Sequence, residues 1–407
     1  MCGELFRQCP SVVLSYMNQN RIGEFLGYRR KRMAALPFKD QEYAERLSRV
    51  RQRMGQEGLD ALIVTGSDNM YYVSGFRGVL TGYISPLMAI VIPAKGLPRL
   101  ITRSLELRVA NEQWTKNPIL FMDHEDPFRL LADLLTESGA ARGKIGVEEN
   151  NLTVWRLNKI KQALSKAQFQ DASGIIKSLT ARPSKMEVEY VRKAASIANI
   201  GFARGIEAIK AGIFGNEVVA QIHRALFEAG QSDTNVGRVW CWFGPEGGQM
   251  HNSSLNRKIQ KGDLVTIELT GVFEMYRANA QGTVYVGDQP SGLLLKTYKM
   301  VSDMYQAARD TIKPGAKAGE VYDGVNKVYR PSIGEDYFRR IGGSMSLGSF
   351  VINLVKGNQD ILNPGVDLLV QPLVNEPFLI TCSSTILVTE AGREELTTPL
   401  LELKTVS

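Results

Sequence analysis

The segment Ala181-Arg182-Pro183-Ser184-Lys185-Met186-Glu187 constrains this chain more than any other feature, because the residue pattern changes across it. Pro183 resists inclusion in a helix, while Ser184 followed three residues later by Glu187 has the form of a capping box at a helix start. Before the segment, short apolar runs alternate with amphipathic stretches. Residues 40–60 carry apolar positions at helical spacing and stop at Gly58, and a second helix is predicted around 127–138. Runs at 61–65, 87–93, 99–101, 118–122 and 144–147 read as strands. That alternation predicts an α/β layer domain over roughly 40–175. Beyond Pro183 the pattern predicts two helices, 185–211 and 216–229, and then strands at 236–243, 263–273 and 282–286. A helix over 292–311, another after Gly319 and antiparallel strands between Leu368 and Val388 complete an α+β second half.

At 407 residues the chain is long enough for two cores, and its 44% hydrophobic and 22% charged residues are those of an ordinary globular protein. No apolar run reaches the length needed to span a bilayer, so no membrane role is expected. The arm over residues 1–38 is basic but lacks the apolar core and cleavage site of a secretory signal. Cys2, Cys9, Cys241 and Cys382 are too few and too scattered for a disulfide framework or structural zinc site, which favours a cytoplasmic location. A net charge of +7 is mildly basic, but no basic stripe interleaved with aromatics appears, and no nucleic-acid partner is expected. There is no G-x-S-x-G elbow, Walker motif or dinucleotide fingerprint.

Four segments carry the strongest signal: Lys261 to Glu268 (KGDLVTIE), Tyr276 to Gly287 (YRANAQGTVYVG), Leu362 to Val366 (LNPGV) and Thr385 to Gly392 (TILVTEAG). In order and spacing they resemble the pita-bread fold of the prolidase, aminopeptidase P and creatinase superfamily. The resemblance implies a creatinase-type α/β domain over 39–178 and a pita-bread catalytic domain with a curved antiparallel sheet over 184–403. In the metallopeptidases of that superfamily two Asp, one His and two Glu hold two divalent ions. The corresponding positions here read Glu268, Asn279, Ser344, Gln371 and Ser383. One carboxylate among amides and hydroxyls does not offset about four positive charges, so no metal or other cofactor is expected.

The resemblance also implies roles. His251, within Val239 to Asn252 (VWCWFGPEGGQMHN), resembles the creatinase segment in which tryptophans and a glycine turn precede the catalytic His-Asn; Trp242 belongs to the same segment. Imidazole passes a proton near neutral pH, as cleavage of a C–N bond requires. Glu268 is the second candidate catalytic residue, placed to orient water or substrate, its plain alternative being a buried acid paired with an arginine. Gln281 and Gln371 stand where creatinase uses glutamates to grip a guanidinium. Replacing such forks by amides forfeits about 2–5 kcal/mol in a desolvated pocket. Creatine is therefore not the expected substrate, and a neutral amide, an amidine ring or a zwitterion fits better. Tyr276 and Arg277 abut this site by alignment, with Arg277 a candidate for a substrate carboxylate. The glycine-rich loop over 75–83 contributes Phe76, Arg77 and Tyr83 as candidate lid residues, since in creatinase-like homodimers it reaches the partner's active site.

The expected function is metal-independent hydrolysis of a non-peptide C–N bond in a small polar or zwitterionic molecule. A biosynthetic enzyme using the same pocket for cyclisation, condensation or elimination, and a non-catalytic binding protein, are the alternatives.

Overall fold

The computed structural model describes residues 36–78, 86–232, 237–250, 256–345, 347–348 and 350–407. Residues Phe38–Ser407 form one compact unit built on two sheets. The first part runs α1 (Asp40–Gln56), β1 (Ala61–Val64), α2 (Ser67–Ser74), β2 (Ala89–Pro93), β3 (Arg99–Arg103), α3 (Leu107–Asn111), β4 (Ile119–Phe121), α4 (Pro127–Glu137), β5 (Lys144–Val147), α5 (Val154–Ala163), β6 (Gln168–Asp171) and α6 (Gly174–Thr180). Its six strands lie in the order β4-β3-β2-β1-β5-β6, with β1 antiparallel to β2 and parallel to β5. Burial on β1 and β2 is continuous, so both faces are covered, as the unbroken apolar runs require. The sequence pattern does not disclose α2, α3, α5, α6 or β6; these are short or weakly amphipathic, and their apolar positions are too few to set a period.

The second part runs α7 (Lys185–Ala208), α8 (Gly215–Glu228), β7 (Val239–Gly244), β8 (Leu264–Phe273), β9 (Tyr276–Val286), α9 (Gly292–Thr311), α10 (Ala318–Ile333), β10 (Gly342–Ser344), β11 (Asp367–Val370), β12 (Leu373–Val374), β13 (Ile380–Thr389), β14 (Gly392–Glu395) and β15 (Lys404–Val406). Its central path is β10-β11-β13-β9-β8-β7, antiparallel throughout, and the short strand β15 adds to β9 in parallel. The capping box at the entry of α7 forms as its sequence predicts, with Ser184 and Glu187 each satisfying a backbone amide.

The strand predicted over 282–286 starts six residues earlier, at Tyr276. A two-residue hairpin joins β8 to β9, with Glu274 and Met275 both at positive φ (47° and 66°). Tight hairpins favour that backbone, but Asn-Gly or Asp-Gly ordinarily marks it, and neither is present.

Helix α7 fixes the position of β8 by close backbone approach. A β-carbon added at Gly271 would sit 2.2 Å from the Ala194 carbonyl oxygen, and one at Gly205 would sit 2.7 Å from the Ile267 side chain. The outer face of β8 is thereby sealed, and its alternate residues are left facing the opposite side. Among the described residues no helix is long and apolar enough to cross a membrane.

Candidate active site

Strand register assembles the site on the inner face of the second sheet. Trp240 on β7 lies opposite Glu268 on β8, which lies opposite Gln281 on β9, which lies opposite Ser383 on β13. Directly paired residues share a face, so these four form one transverse row. The row on one side pairs Thr270 with Asn279, and the row on the other contains Trp242, Thr266 and Thr283. Gln371 follows β11 immediately and reaches the main row, where its Nε2 donates to Gln281 Oε1. Asn279 Nδ2 donates to Glu268 Oε1 at 3.3 Å. Sequence-predicted Glu268, Asn279, Gln281, Gln371 and Ser383 are thus brought together from four separate segments.

Asn279 is held firmly. Its amide nitrogen donates to Thr385 Oγ1 at 2.8 Å, and its carbonyl accepts from Thr385 Oγ1 at 3.0 Å and Thr397 Oγ1 at 2.8 Å. The adjoining threonines Thr266 and Thr283 share a hydroxyl–hydroxyl bond of 2.7 Å. Trp242 is buried beside Leu373 and Leu379, forming an apolar flank with Trp240 and Met250 packed against it.

Glu268 is the one inner-face position of β8 that is not fully buried. Burial pushes its carboxyl above the ordinary carboxylate range, and hydrogen bonds from Asn279 and Gln371 with the fields of Arg339 and Arg238 pull the other way. Among the described residues its hydrogen bonds come from amides, and Arg339 and Arg238 act on it through their fields. Among the described residues, Asn279 Oδ1, Gln281 Nε2 and Ser383 Oγ are buried without a hydrogen-bond partner. Each such group costs about 1–3 kcal/mol, an expense native proteins concentrate at functional places.

A cavity of about 460 Å³ adjoins the cluster through Thr270. Lys177, Arg277 and Arg340 line it together with Met345, Gly348, Phe350 and Asn353. Arg277 shares the face of Asn279 and Gln281 and is tied to Asp68 of α2 at 2.7 Å. The Arg340 guanidinium lies 4.5 Å above the Phe350 ring. The cavity's size suits a small ligand, and its field is positive.

Other sequence-predicted residues are placed elsewhere. Tyr276 is fully buried outside the row, and its hydroxyl donates to Glu187 Oε1 at 2.8 Å. Ser344 pairs in register with Leu368 and, through it, with Ile386, on the side facing the core. Its hydroxyl accepts from the amides of Val351 and Ile352 at 3.1 and 3.0 Å, and its neighbour Gly343 holds the row of Leu369 and Thr385 instead. Phe76 is buried, and Arg77 pairs with Glu274 at the β8–β9 turn. His251 and Tyr83 lie outside the described residues. Trp240 belongs with Trp242 to the tryptophan pair that precedes His251 in the sequence, whereas nothing local distinguishes the cations Lys177 and Arg340.

Among the described residues no group of three or more His, Cys, Asp or Glu side chains is arranged to hold a metal ion. The chain matches the Creatinase/Prolidase N-terminal domain over residues 46–180 and the Metallopeptidase family M24 over residues 189–390. It is 24% identical to the creatinase of Bacillus sp. (strain B-0618) over 370 residues, covering 84% of this chain and 85% of that one. In three dimensions it is similar to dipeptidase PepE of Mycobacterium ulcerans (TM-score 0.79, 25% identity, 91% and 99% of the two chains). It is similar also to a prolidase of Thermococcus sibiricus (TM-score 0.81, 24% identity, 89% and 99%). The chain belongs to the creatinase/prolidase superfamily of pita-bread hydrolases. Its second sheet is the curled, half-barrel antiparallel sheet of that fold.

Proposed function

We propose that this enzyme hydrolyses a non-peptide C–N bond of a small polar or zwitterionic substrate without a metal ion. The observation that carries the reading is the donor set: Glu268 is the sole carboxylate in a cluster whose other members, Asn279, Gln281, Gln371 and Ser383, are uncharged. Such a set is a poor match to the dinuclear centre that the M24 family name implies, because amides and hydroxyls leave most of the ionic charge uncompensated. No step is therefore routed through a metal.

In this reading Glu268, with its raised pKa, orients the attacking water and takes its proton, the amides hold the group under attack, and His251 delivers a proton to the departing nitrogen. The cations Arg277, Arg340 and Lys177 receive an anionic end of the substrate in the adjoining cavity. Trp240 and Trp242 supply an apolar flank that limits water.

The test is turnover of candidate amides and amidines by the purified chain in the presence and absence of excess chelator. Chelator-indifferent turnover, reduced about 10²–10⁴-fold by His251→Ala, is the expected result. Chelator-abolished cleavage of a dipeptide would overturn it.

A further inference from the structure

Among the described residues, three buried polar atoms without partners belong to neighbouring inner-face positions of β9 and β13, and the groups around them determine which give and which accept. Glu268 presents only acceptor oxygens when ionised, so Asn279 turns its Nδ2 toward Glu268 and leaves Oδ1 on the far side, an acceptor without a donor. Gln371 likewise directs its amide nitrogen to Glu268 and to Gln281 Oε1. Gln281 therefore keeps Nε2 as a donor without an acceptor. Exchanging O and N in Asn279 or Gln371 would set oxygen against the Glu268 carboxylate, and exchanging them in Gln281 would set nitrogen against the Gln371 nitrogen. Ser383 Oγ, opposite Gln281 in register, serves in either sense.

A guanidinium or amidinium offers donors alone; it satisfies Asn279 Oδ1 and sets N–H against the Gln281 N–H. A carboxylate offers acceptors alone and fails in the converse way. An uncharged amide edge, with N–H beside C=O, meets both. The cationic lining of the adjoining cavity by Lys177, Arg277 and Arg340 further opposes a cationic head group and leaves room for an anionic tail. Partly exposed Glu268 marks the side from which a ligand would enter the row.

We infer that the Glu268 cluster recognises an uncharged amide edge, that of a lactam, carboxamide or ureide, in preference to an amidinium or a carboxylate. The inference rests on the Glu268 cluster being the substrate site, as the proposed function has it, and narrows the substrate from any polar C–N compound to this class.

Calorimetric titration of the full chain with 2-pyrrolidinone, acetamidinium and acetate at matched ionic strength tests it. The lactam is expected to bind about tenfold or more tighter than either ion. Gln281→Glu, which replaces the donor by an anionic acceptor, is expected to reverse the order of lactam and amidinium; Asn279→Asp provides a second substitution of the same kind. Amidinium binding as tightly as the lactam to the unaltered protein, or no measurable lactam binding, overturns the inference without reference to any variant. Turnover that needs a metal while the binding order holds would instead sink the metal-free mechanism alone.

Discussion

Two buried polar clusters in this molecule are centred on Glu187 and on Glu268, and they are built in opposite ways. Around Glu187 the acid has a cationic partner, Arg46, which it shares with Glu42. Arg46 lies 3.5 Å from Glu187 and donates to Glu42 at 3.0 Å and to the Tyr72 carbonyl at 2.9 Å, with its guanidinium 4.0 Å above the Phe38 ring. Glu187 also accepts from Tyr276 and from the Ser184 amide. Of the guanidinium nitrogens only Nε lacks a hydrogen bond among the described residues. Around Glu268, among the described residues, the hydrogen bonds come from amides and not from a cation, and three polar atoms are left over. The first arrangement joins α1 and α2 to the second sheet; the second leaves buried donors and acceptors without protein partners among the described residues. The first cluster has the build of a joint, and the grouping of three unpaired polar atoms on one sheet face favours the second as a place for a ligand.

The largest effect should come from breaking the joint. Arg46→Met leaves Glu187 buried and uncompensated, and denaturant unfolding should show a loss of about 3–5 kcal/mol. If that substitution proves neutral, the contrast between the clusters fails. At the site the order should invert: Glu268→Gln should lower kcat about 10²-fold in steady-state assays while leaving the fold intact. Arg340→Ala, in the adjoining cavity, should raise KM for an anionic substrate about tenfold with little change in kcat or Tm.

The smallest effect sharpens the comparison through pH. Because burial raises the Glu268 pKa in the folded state, folding favours the protonated carboxyl. The wild type therefore gives up stability as pH rises from the ordinary glutamate range through the raised value, whereas Glu268→Gln does not. Thermal melts should show the variant ahead by about 1–3 °C at neutral pH and the gap closing in acid. A gap that widens in acid would reverse the assignment.

Much of this was legible in the sequence, and where it was not the causes are physical. Glu268, Asn279, Gln281, Gln371 and Ser383 converge because each sits in a segment whose spacing is tied to regular strands. Ser344 shows how narrow that margin is: adjacent strand residues point to opposite faces, so a shift of one position exchanges core for pocket. Tyr276 follows from the hairpin, whose turn at Glu274 and Met275 carries no glycine or asparagine to announce it. Lys177 and Arg340 are distant in sequence and meet only through tertiary packing, which no local pattern encodes.

The tight seating of Gly271 on the backbone of α7 has a bearing on how this enzyme can evolve. One wall of the proposed substrate chamber, strand β8, is clamped against α7 at main-chain distance, where even a methyl group has no room. New substrates must then be accommodated by remodelling the facing side, between Arg340 and Asn353, where the chamber is bounded by replaceable side chains.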